Sequence, residues 1–486
     1  MTSRQEKFYI TTTLPYVNAA PHIGFALELV QADVIARYHA MRGEEVVFNT
    51  GVDEHGLKIY RKALEAKKDP QEYVDEYAEK FDALKKALNV ASTNFIRTTD
   101  PHHKRAAQEF WQRCEKNGDI YKKAYHVKYC VGCELEKTDS ELEEGRCPVH
   151  PNLELEEIAE ENYFFRFSCY AEKLLALYEE HPDIVIPDFR LNEIREFVKR
   201  GLRDFSISRI KEKMPWGIPV PGDESQVMYV WFDALVNYIS ILGWPEDEKR
   251  FGEFWPGVQI AGKDNLRPQS AMWQAMLLSA GLRPSRQILI HGFITSGGKK
   301  MSKSLGNVID PFAITERYGI DPVRYFLLGE IPSDEDGDFS TEKLEARYQG
   351  DLANGLGNFA ARVLTLGEQI SPLASGKIET DVEREIQVAR DAVGKNINVF
   401  KLHEAVAALW QLIHFGDRYV NEKKPWAIKE ESEKQTIVFN LIALLDNVGA
   451  LLVPFLPETA EKITSCIEWK GDVLHIKKGE VLFPRL

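Results

Sequence analysis

The sequence predicts an α/β protein built on a parallel sheet, interrupted by one inserted segment and followed by a helical C-terminal region. Three observations carry this prediction. Strand-like runs end at Leu14, at Asn49 (Glu45-Val46-Val47-Phe48-Asn49), at Ala261 (Val258–Ala261) and at His291 (Gln287–His291), with helical patterns between them. Continuous apolar strands alternating with helices are the mark of a parallel sheet covered on both faces. Residues from about 115 to 225 break the alternation and hold four of the six cysteines, three of them clustered. From about residue 345 to 465 the pattern is almost purely helical, as in a bundle. The division expected is 1–114 and 226–344 for the two halves of the α/β domain, 115–225 for the insertion and 345–486 for the bundle.

Taken in order, residues 8–14 are rich in β-branched and aromatic types and read as a buried strand. Pro21, followed by an apolar-periodic run to about Tyr38, places His22 and Gly24 near a helix N-terminus, where N–H groups face anions. The chemically distinctive segments 15–25, 51–56, 262–264 and 291–304 all follow predicted strands, where ligands bind in open α/β sheets. The run from Ile437 to Leu456 is the most apolar, but Asn440, Asp446, Asn447 and Pro454 break it. It reads as a bundle helix, and no membrane partner is expected. The Gly355–Ala360 segment fits G-x-G-x-x-A, yet nothing strand-like precedes it, so a dinucleotide site is not supported.

With 486 residues the chain has ample core for several domains. Its net charge of −14 argues against non-specific polyanion binding and leaves room only for a local, specific basic path. Residues 1–7 lead straight into the first strand without a signal-peptide pattern, and six cysteines are too few for a disulfide framework, so a cytoplasmic location is expected. Cys114, Cys169 and Cys466 are isolated and read as buried small residues.

Cys130-Val131-Gly132-Cys133 and Cys147-Pro148-Val149-His150 form C-x2-C, a thirteen-residue gap and C-x2-H. Two short turns offering three thiolates and one imidazole suit a tetrahedral zinc ion with no open position, hence a structural one. Further on, Gly297-Gly298-Lys299-Lys300-Met301-Ser302-Lys303-Ser304 makes a glycine-flanked cationic loop. Lysine ammonium groups, serine hydroxyls and loop N–H groups suit a triphosphate that sheds pyrophosphate.

The Pro21-His22-Ile23-Gly24-Phe25 and Lys300–Ser304 segments together resemble the two signatures of class I aminoacyl-tRNA synthetases. Leu14-Pro15-Tyr16-Val17-Asn18, Gly51-Val52-Asp53-Glu54-His55-Gly56, Tyr229-Val230-Trp231-Phe232-Asp233-Ala234 and Gly262-Lys263-Asp264 sharpen this. The ordered set is similar to the methionyl-tRNA synthetase family through essentially the whole chain. The resemblance implies a Rossmann-like catalytic domain, a connective insertion with the zinc knuckle, and an anticodon-binding helical bundle. Its implied activity is methionine–tRNA ligase, consuming ATP with Mg²⁺ and charging tRNA(Met), initiator included, as a monomer.

By the same resemblance, Leu14, Tyr16, Trp231, Ala234, Tyr238 and Gln269 line a methionine pocket, with Asp53 pairing with the substrate ammonium group. His22, Gly24, Phe25, Gly262, Asp264, Lys300, Ser302, Lys303 and Ser304 hold ATP, with His22, Lys300 and Lys303 catalytic. Asn354, Asn358, Arg362 and Trp426 read the anticodon. Two positions depart from the family. Phe25 stands where the second signature histidine is usual, and Arg267-Pro268-Gln269 stand where an aromatic and a histidine are usual. Arg267 or Gln269 are candidates to supply the donor absent at Phe25. The alternatives are a zinc-containing tRNA-binding relative without catalysis, or a class I ligase for another apolar amino acid.

Overall fold

A computed structural model describes residues 5–133, 135–137, 139–301 and 307–486. The chain forms two compact units: residues 1–21, 45–83 and 92–290, and residues 22–44, 84–91 and 291–486.

The first unit is organised by a six-stranded sheet in the order Asn94–Arg97, Glu45–Val52, Lys7–Thr11, Val258–Gly262, Gln287–His291, Val185–Ile186. Lys7–Thr11 pairs in parallel with both neighbours, Ile10 lying opposite Phe48 on one side and Val258 on the other. The inner strands are buried along most of their length because both faces are covered, with Thr11, Asn49, Thr50 and Gln259 as buried polar residues among the apolar ones. The first strand ends at Thr11, three residues before the sequence-based limit. Beyond it, Asp53 N–H donates to the Pro15 carbonyl (3.0 Å) and Val17 N–H to the Asp53 carbonyl (3.2 Å), so residues 14–17 run beside the end of the neighbouring strand. Val185–Ile186, inside residues 115–225, is one of the two edge strands of this sheet. The helices Ala171–Glu180 and Asp188–Lys199 share one core with Phe110, Trp111, Phe232 and Trp273.

The cysteine cluster sits on a separate four-stranded antiparallel sheet, built on the long hairpin Ile120–Cys130 and Glu156–Phe165.

The second unit is mainly helical: Ile23–Met41, Pro311–Tyr318, Ile320–Gly329, Thr341–Arg347, Asn358–Ile370, Thr380–Asn398, Leu402–Lys423, Glu431–Leu452 and Pro457–Thr464. Residues Tyr348–Gly357 form a π-helical stretch leading into Asn358–Ile370. Glu431–Leu452 has the length and composition to cross a membrane, but Val438, Leu441, Leu444, Leu445, Val448 and Leu452 are fully buried in the bundle. At the centre of this unit the Arg324 guanidinium meets Asp33 Oδ2 (2.7 Å) and the carbonyls of Leu88, Pro454 and Phe455.

Candidate functional site

In the first unit, Leu14 and Tyr16 lie on the chain that follows the first strand, and Tyr16 bridges to Asp53 at the end of the second. Asp53 is buried. Two residues on, His55 Nδ1 lies 3.1 Å from Asp233 Oδ2, which ties this strand end to the short helix Val230–Ala234. A second tie runs from the Asn49 side-chain amide to Asn237 Oδ1 (3.2 Å). The buried pair therefore holds the segment carrying Trp231, Ala234 and Tyr238 against the segment carrying Asp53. Burial alone would raise the Asp233 carboxyl, but the His55 and His103 imidazoles outweigh it and hold Asp233 below the usual carboxylate range. Burial lowers His103, more than Asp233 raises it. Glu54, next to Asp53, is raised by burial despite its bonds to Thr99 and Arg97.

Trp231 and Ala234 are half-buried, whereas Tyr238 is only 2% exposed. Tyr9 Oη donates to the Tyr238 carbonyl (2.9 Å), and Gln269 Nε2 donates to the Tyr238 hydroxyl (2.5 Å). Gln269 lies on the π-helical turn Pro268–Met272. Arg267, just before it, is exposed and lies over the Phe197 ring at 4.6 Å. Gln269 is thus engaged on the Tyr238 hydroxyl and Arg267 on an aromatic ring, which gives no support to either as a replacement phosphate donor for Phe25.

Of the residues expected at ATP, Gly262 closes the strand Val258–Gly262 and Asp264 lies exposed on the following turn, both in the first unit. In the second unit His22 caps the helix Ile23–Met41, and its Nδ1 accepts from the Gly24 N–H at 3.1 Å. That bond requires Nδ1 to be the unprotonated nitrogen, so Nε2 carries the hydrogen of the neutral ring and is a donor. A side chain at Gly24 would come within 2.9 Å of the His22 ring, so glycine is what admits this cap. The Phe25 ring lies 4.4 Å from the His22 ring and packs against it.

The cationic loop leaves from a hairpin in which Thr295 pairs with Lys300 and Ser296 with Lys299. Gly297 and Gly298 both have positive φ, 61° and 71°, so the pair makes a left-handed tight turn that other residues would strain. Asp338 accepts from Gly298 N–H and Thr295 Oγ1, both at 2.7 Å, and these bonds hold its carboxyl below the usual range. Of Lys300 only the strand position is described; Ser302, Lys303 and Ser304 lie outside the described residues.

Cys130, Cys133, Cys147 and His150 do converge, with their ligand atoms all within 4.8 Å of one another. Cys133 Sγ lies 3.5 Å from Cys147 Sγ and 3.2 Å from His150 Nδ1, and Cys130 Sγ lies 3.8 Å from the same nitrogen. A tetrahedron with metal–sulfur bonds of about 2.3 Å has edges of roughly 3.8 Å, close to this spacing. A Cβ at Gly132 would come within 2.6 Å of the His150 ring, so the glycine inside C-x2-C makes room for the fourth ligand. The donor set and its cradle fit a metal ion. Of the isolated cysteines, Cys114 and Cys466 are buried as expected, and burial pushes the Cys114 thiol up to about 12. Cys169 is exposed instead, because it follows Arg166 on a surface 3₁₀ turn rather than facing the core.

On the bundle, Asn354 and Asn358 are exposed and straddle the junction where the π-helical stretch becomes α-helical. Arg362 binds Asp417 Oδ1 (3.1 Å) and Asn421 Oδ1 (2.8 Å), and its guanidinium lies 5.6 Å from the Trp426 ring centre. Trp426 is 57% exposed, which argues against a core role for it. The left-handed Lys424 and Pro425 end the helix Leu402–Lys423 and turn Trp426 outward.

The family described as "tRNA synthetases class I (M)" matches residues 8–157 and 152–364, and the "Anticodon-binding domain of tRNA ligase" matches residues 380–480. The methionine–tRNA ligase of Thermotoga maritima is 41% identical across 98% of this chain and 78% of its own length. That of Brucella suis is 40% identical across 96% of this chain and 93% of its own. The chain belongs to the methionyl-tRNA synthetase family. A solved methionyl-tRNA synthetase of Mycobacterium tuberculosis, in complex with methionyl-adenylate, superposes with a TM-score of 0.94. It is 34% identical and covers 99% of this chain and 100% of that one. As a class I synthetase the protein is a ligase, and the predicted fold class, a parallel-sheet catalytic domain with a helical anticodon-binding region, is the one observed.

Sequence reasoning missed Asp338, which anchors the loop turn, His55 and Asp233, which tie the strand end at Asp53 to the helix Val230–Ala234, and His103, which lies beside Asp233. His55 and Asp233 stand inside quoted motifs, so a signal was present. Asp338 and His103 have none in the local sequence.

Proposed function

We propose that the protein activates L-methionine with ATP to give methionyl-adenylate and pyrophosphate, then transfers the methionyl group to the terminal ribose hydroxyl of tRNA(Met), initiator included. The observation that carries this is the near-complete superposition on a methionyl-tRNA synthetase that holds methionyl-adenylate. In the first step the methionine carboxylate attacks the α-phosphate. No nucleophilic side chain is needed, and catalysis is positioning together with stabilisation of phosphate charge.

Asp53 receives the ammonium group, and Leu14, Tyr16, Trp231, Ala234, Tyr238 and Gln269 enclose the thioether chain, an apolar and aromatic surround suited to sulfur. His22 donates from Nε2 to the phosphates, a role supported by the Gly24 bond at Nδ1. Gly24, Phe25, Gly262 and Asp264 complete the nucleotide contacts, and Lys300, Ser302, Lys303 and Ser304 close on the triphosphate, which is bound with Mg²⁺. Cys130, Cys133, Cys147 and His150 hold one structural Zn²⁺, whose binding energy stabilises the insertion. Asn354, Asn358, Arg362 and Trp426 recognise the anticodon through hydrogen bonds and stacking. The division 1–114, 115–225, 226–344 and 345–486 separates these tasks, in a cytoplasmic monomer.

Charging of transcribed tRNA(Met) with radiolabelled methionine tests this reading. Acid-stable methionyl-tRNA should accumulate with ATP and Mg²⁺, and a tRNA with a changed anticodon should be charged far less. Equal charging of the two would contradict the role given to the bundle.

A further inference from the structure

The hairpin that delivers the cationic loop is too small to hold its own direction. Its second strand, Lys299–Lys300, is two residues long and lies at the edge of a three-stranded sheet, beside Ile294–Ser296, with Gly337–Phe339 on the far side. A ribbon this short is marginal in water. In a two-residue turn the flanking residues, here Ser296 and Lys299, pair with each other, which leaves the N–H of the second turn residue pointing outward. Asp338 meets that N–H. It stands opposite Thr295 on the parallel strand, and its Oδ1 reaches across to accept from Gly298 N–H and from Thr295 Oγ1, both at 2.7 Å. Thr295 Oγ1 also has the Gly337 carbonyl at 3.1 Å, so the Gly298 bond is the one that ties the turn. The other end of Ile294–Ser296 is held as well. Phe293 N–H donates to Asp336 Oδ1 (2.9 Å), and a Cβ at Gly292 would come within 2.1 Å of the Glu335 carbonyl oxygen. The strand is thus fixed at its base by close packing and at its tip by the Asp338 carboxylate.

We propose that Asp338 is a positioning residue for adenylate formation, fixing the Gly297-Gly298 turn and with it the line along which the edge strand delivers Lys300 and the residues after it to the triphosphate. The carboxylate acts through the backbone of the turn, not through contact with substrate. It is ionised at neutral pH, because the Gly298 bond first and the Thr295 bond second hold its carboxyl below the usual range, and so it only accepts. Lys343 Nζ, 4.0 Å from Oδ2, offsets part of its charge. A misplaced lysine costs most where charge moves, as the α-phosphate is attacked and pyrophosphate leaves, and least in the resting complex with ATP. Transfer of the methionyl group to tRNA comes after pyrophosphate has gone, when the turn has no triphosphate to meet. The role of Asp338 is therefore confined to the first of the two steps. This rests on the phosphate role given above to Lys300, Ser302, Lys303 and Ser304.

The test compares the two steps in Asp338→Ala, Asp338→Asn and Thr295→Val. Loss of a bond to a charged acceptor, discounted for the exposure of the Gly298 N–H, should lower kcat for methionine-dependent pyrophosphate exchange about tenfold in Asp338→Ala, with KM for ATP and for methionine within about twofold of the parent. Asparagine keeps an oxygen that accepts from both donors, so Asp338→Asn should stay within about threefold of the parent. Thr295→Val leaves the Gly298 bond in place and should also stay within about threefold. Single-turnover transfer from preformed methionyl-adenylate to tRNA(Met) should remain within about twofold of the parent in all three. An unchanged exchange rate in Asp338→Ala, an equal loss in Asp338→Asn, or an equal loss in both steps would overturn the proposal, the last by marking a folding defect. Lys303→Ala probes the reading beneath it. If that variant exchanges as fast as the parent, the loop does not act on phosphate and the phosphate reading itself fails, whatever the Asp338 variants do.

Discussion

Arg324→Met tests the ion cluster at the centre of the second unit. Arg324 and Asp33 have fully buried side chains, and the guanidinium makes four bonds: to Asp33 Oδ2 (2.7 Å) and to the carbonyls of Phe455 (2.8 Å), Leu88 (3.0 Å) and Pro454 (3.0 Å). Methionine matches the volume but leaves three carbonyls without a donor. Asp33 keeps Arg37 Nε (2.8 Å) and the Ala91 N–H (2.7 Å), so its charge is not wholly abandoned. Removing one side of a buried ion pair costs about 3–5 kcal/mol, and the retained Arg37 puts this variant towards the lower end. Arg37→Met, at a partly exposed position, also loses bonds to the Asn89 carbonyl and side chain but lets water reach Asp33, and should cost about 1–2 kcal/mol, less than Arg324→Met. Amide hydrogen exchange of the helix Ile23–Met41 reads both without assuming two-state unfolding. Arg324→Met should reduce protection of its slowest amides by about a hundredfold to a thousandfold. Protection unchanged, or reduced no more than in Arg37→Met, would refute the view that this cluster anchors the unit.

Three further outcomes are expected. The purified protein should hold one zinc per chain; Cys147→Ser should lower the metal content and destabilise the insertion, while Cys466→Ser should leave the metal unchanged on elemental analysis. Trp426→Ala should weaken charging of tRNA(Met) by an amount equivalent to roughly 1–3 kcal/mol of lost stacking, with pyrophosphate exchange nearly normal; an equal loss in both assays would make Trp426 a folding residue. His103, lowered by burial, binds its proton less readily folded than unfolded, so its contribution to stability is complete above its unfolded pKa of 6.5 and is lost as pH falls below it. His103→Gln should accordingly flatten the decline in stability on mild acidification, measured as unfolding midpoint against pH, and an unaltered slope would contradict this.

What the sequence disclosed and what it hid follow one physical division. The Gln287–His291 strand was located to the residue, and the convergence of Cys130, Cys133, Cys147 and His150 was foreseen, because apolar runs and C-x2-C spacings are local signals. The glycines at 297 and 298 were visible as flanks of the cationic loop, but the left-handed turn they make, tied to Asp338, was not. Val185–Ile186 is too short for any periodicity and acquires strand geometry only from its neighbour Ile288–Leu289. The π-helical stretch before Asn358 has no sequence signature that periodicity detects. Arg324 stands in an apolar helix, which flags a buried charge, but its partner is 291 residues away. Gln269 was singled out by resemblance alone, and its bond to the Tyr238 hydroxyl follows from no local motif.

Pyrophosphate exchange into ATP, run with each of the standard amino acids in turn, tests the central claim most directly. It isolates adenylate formation from tRNA binding, so it asks only whether the protein activates methionine with ATP, as proposed. The account predicts ATP- and Mg²⁺-dependent exchange with methionine well above that with every other standard amino acid, despite Phe25. Exchange led by another apolar amino acid would contradict the pocket assignment. No exchange at all, with tRNA still bound, would instead make this a tRNA-binding member of the family without catalysis.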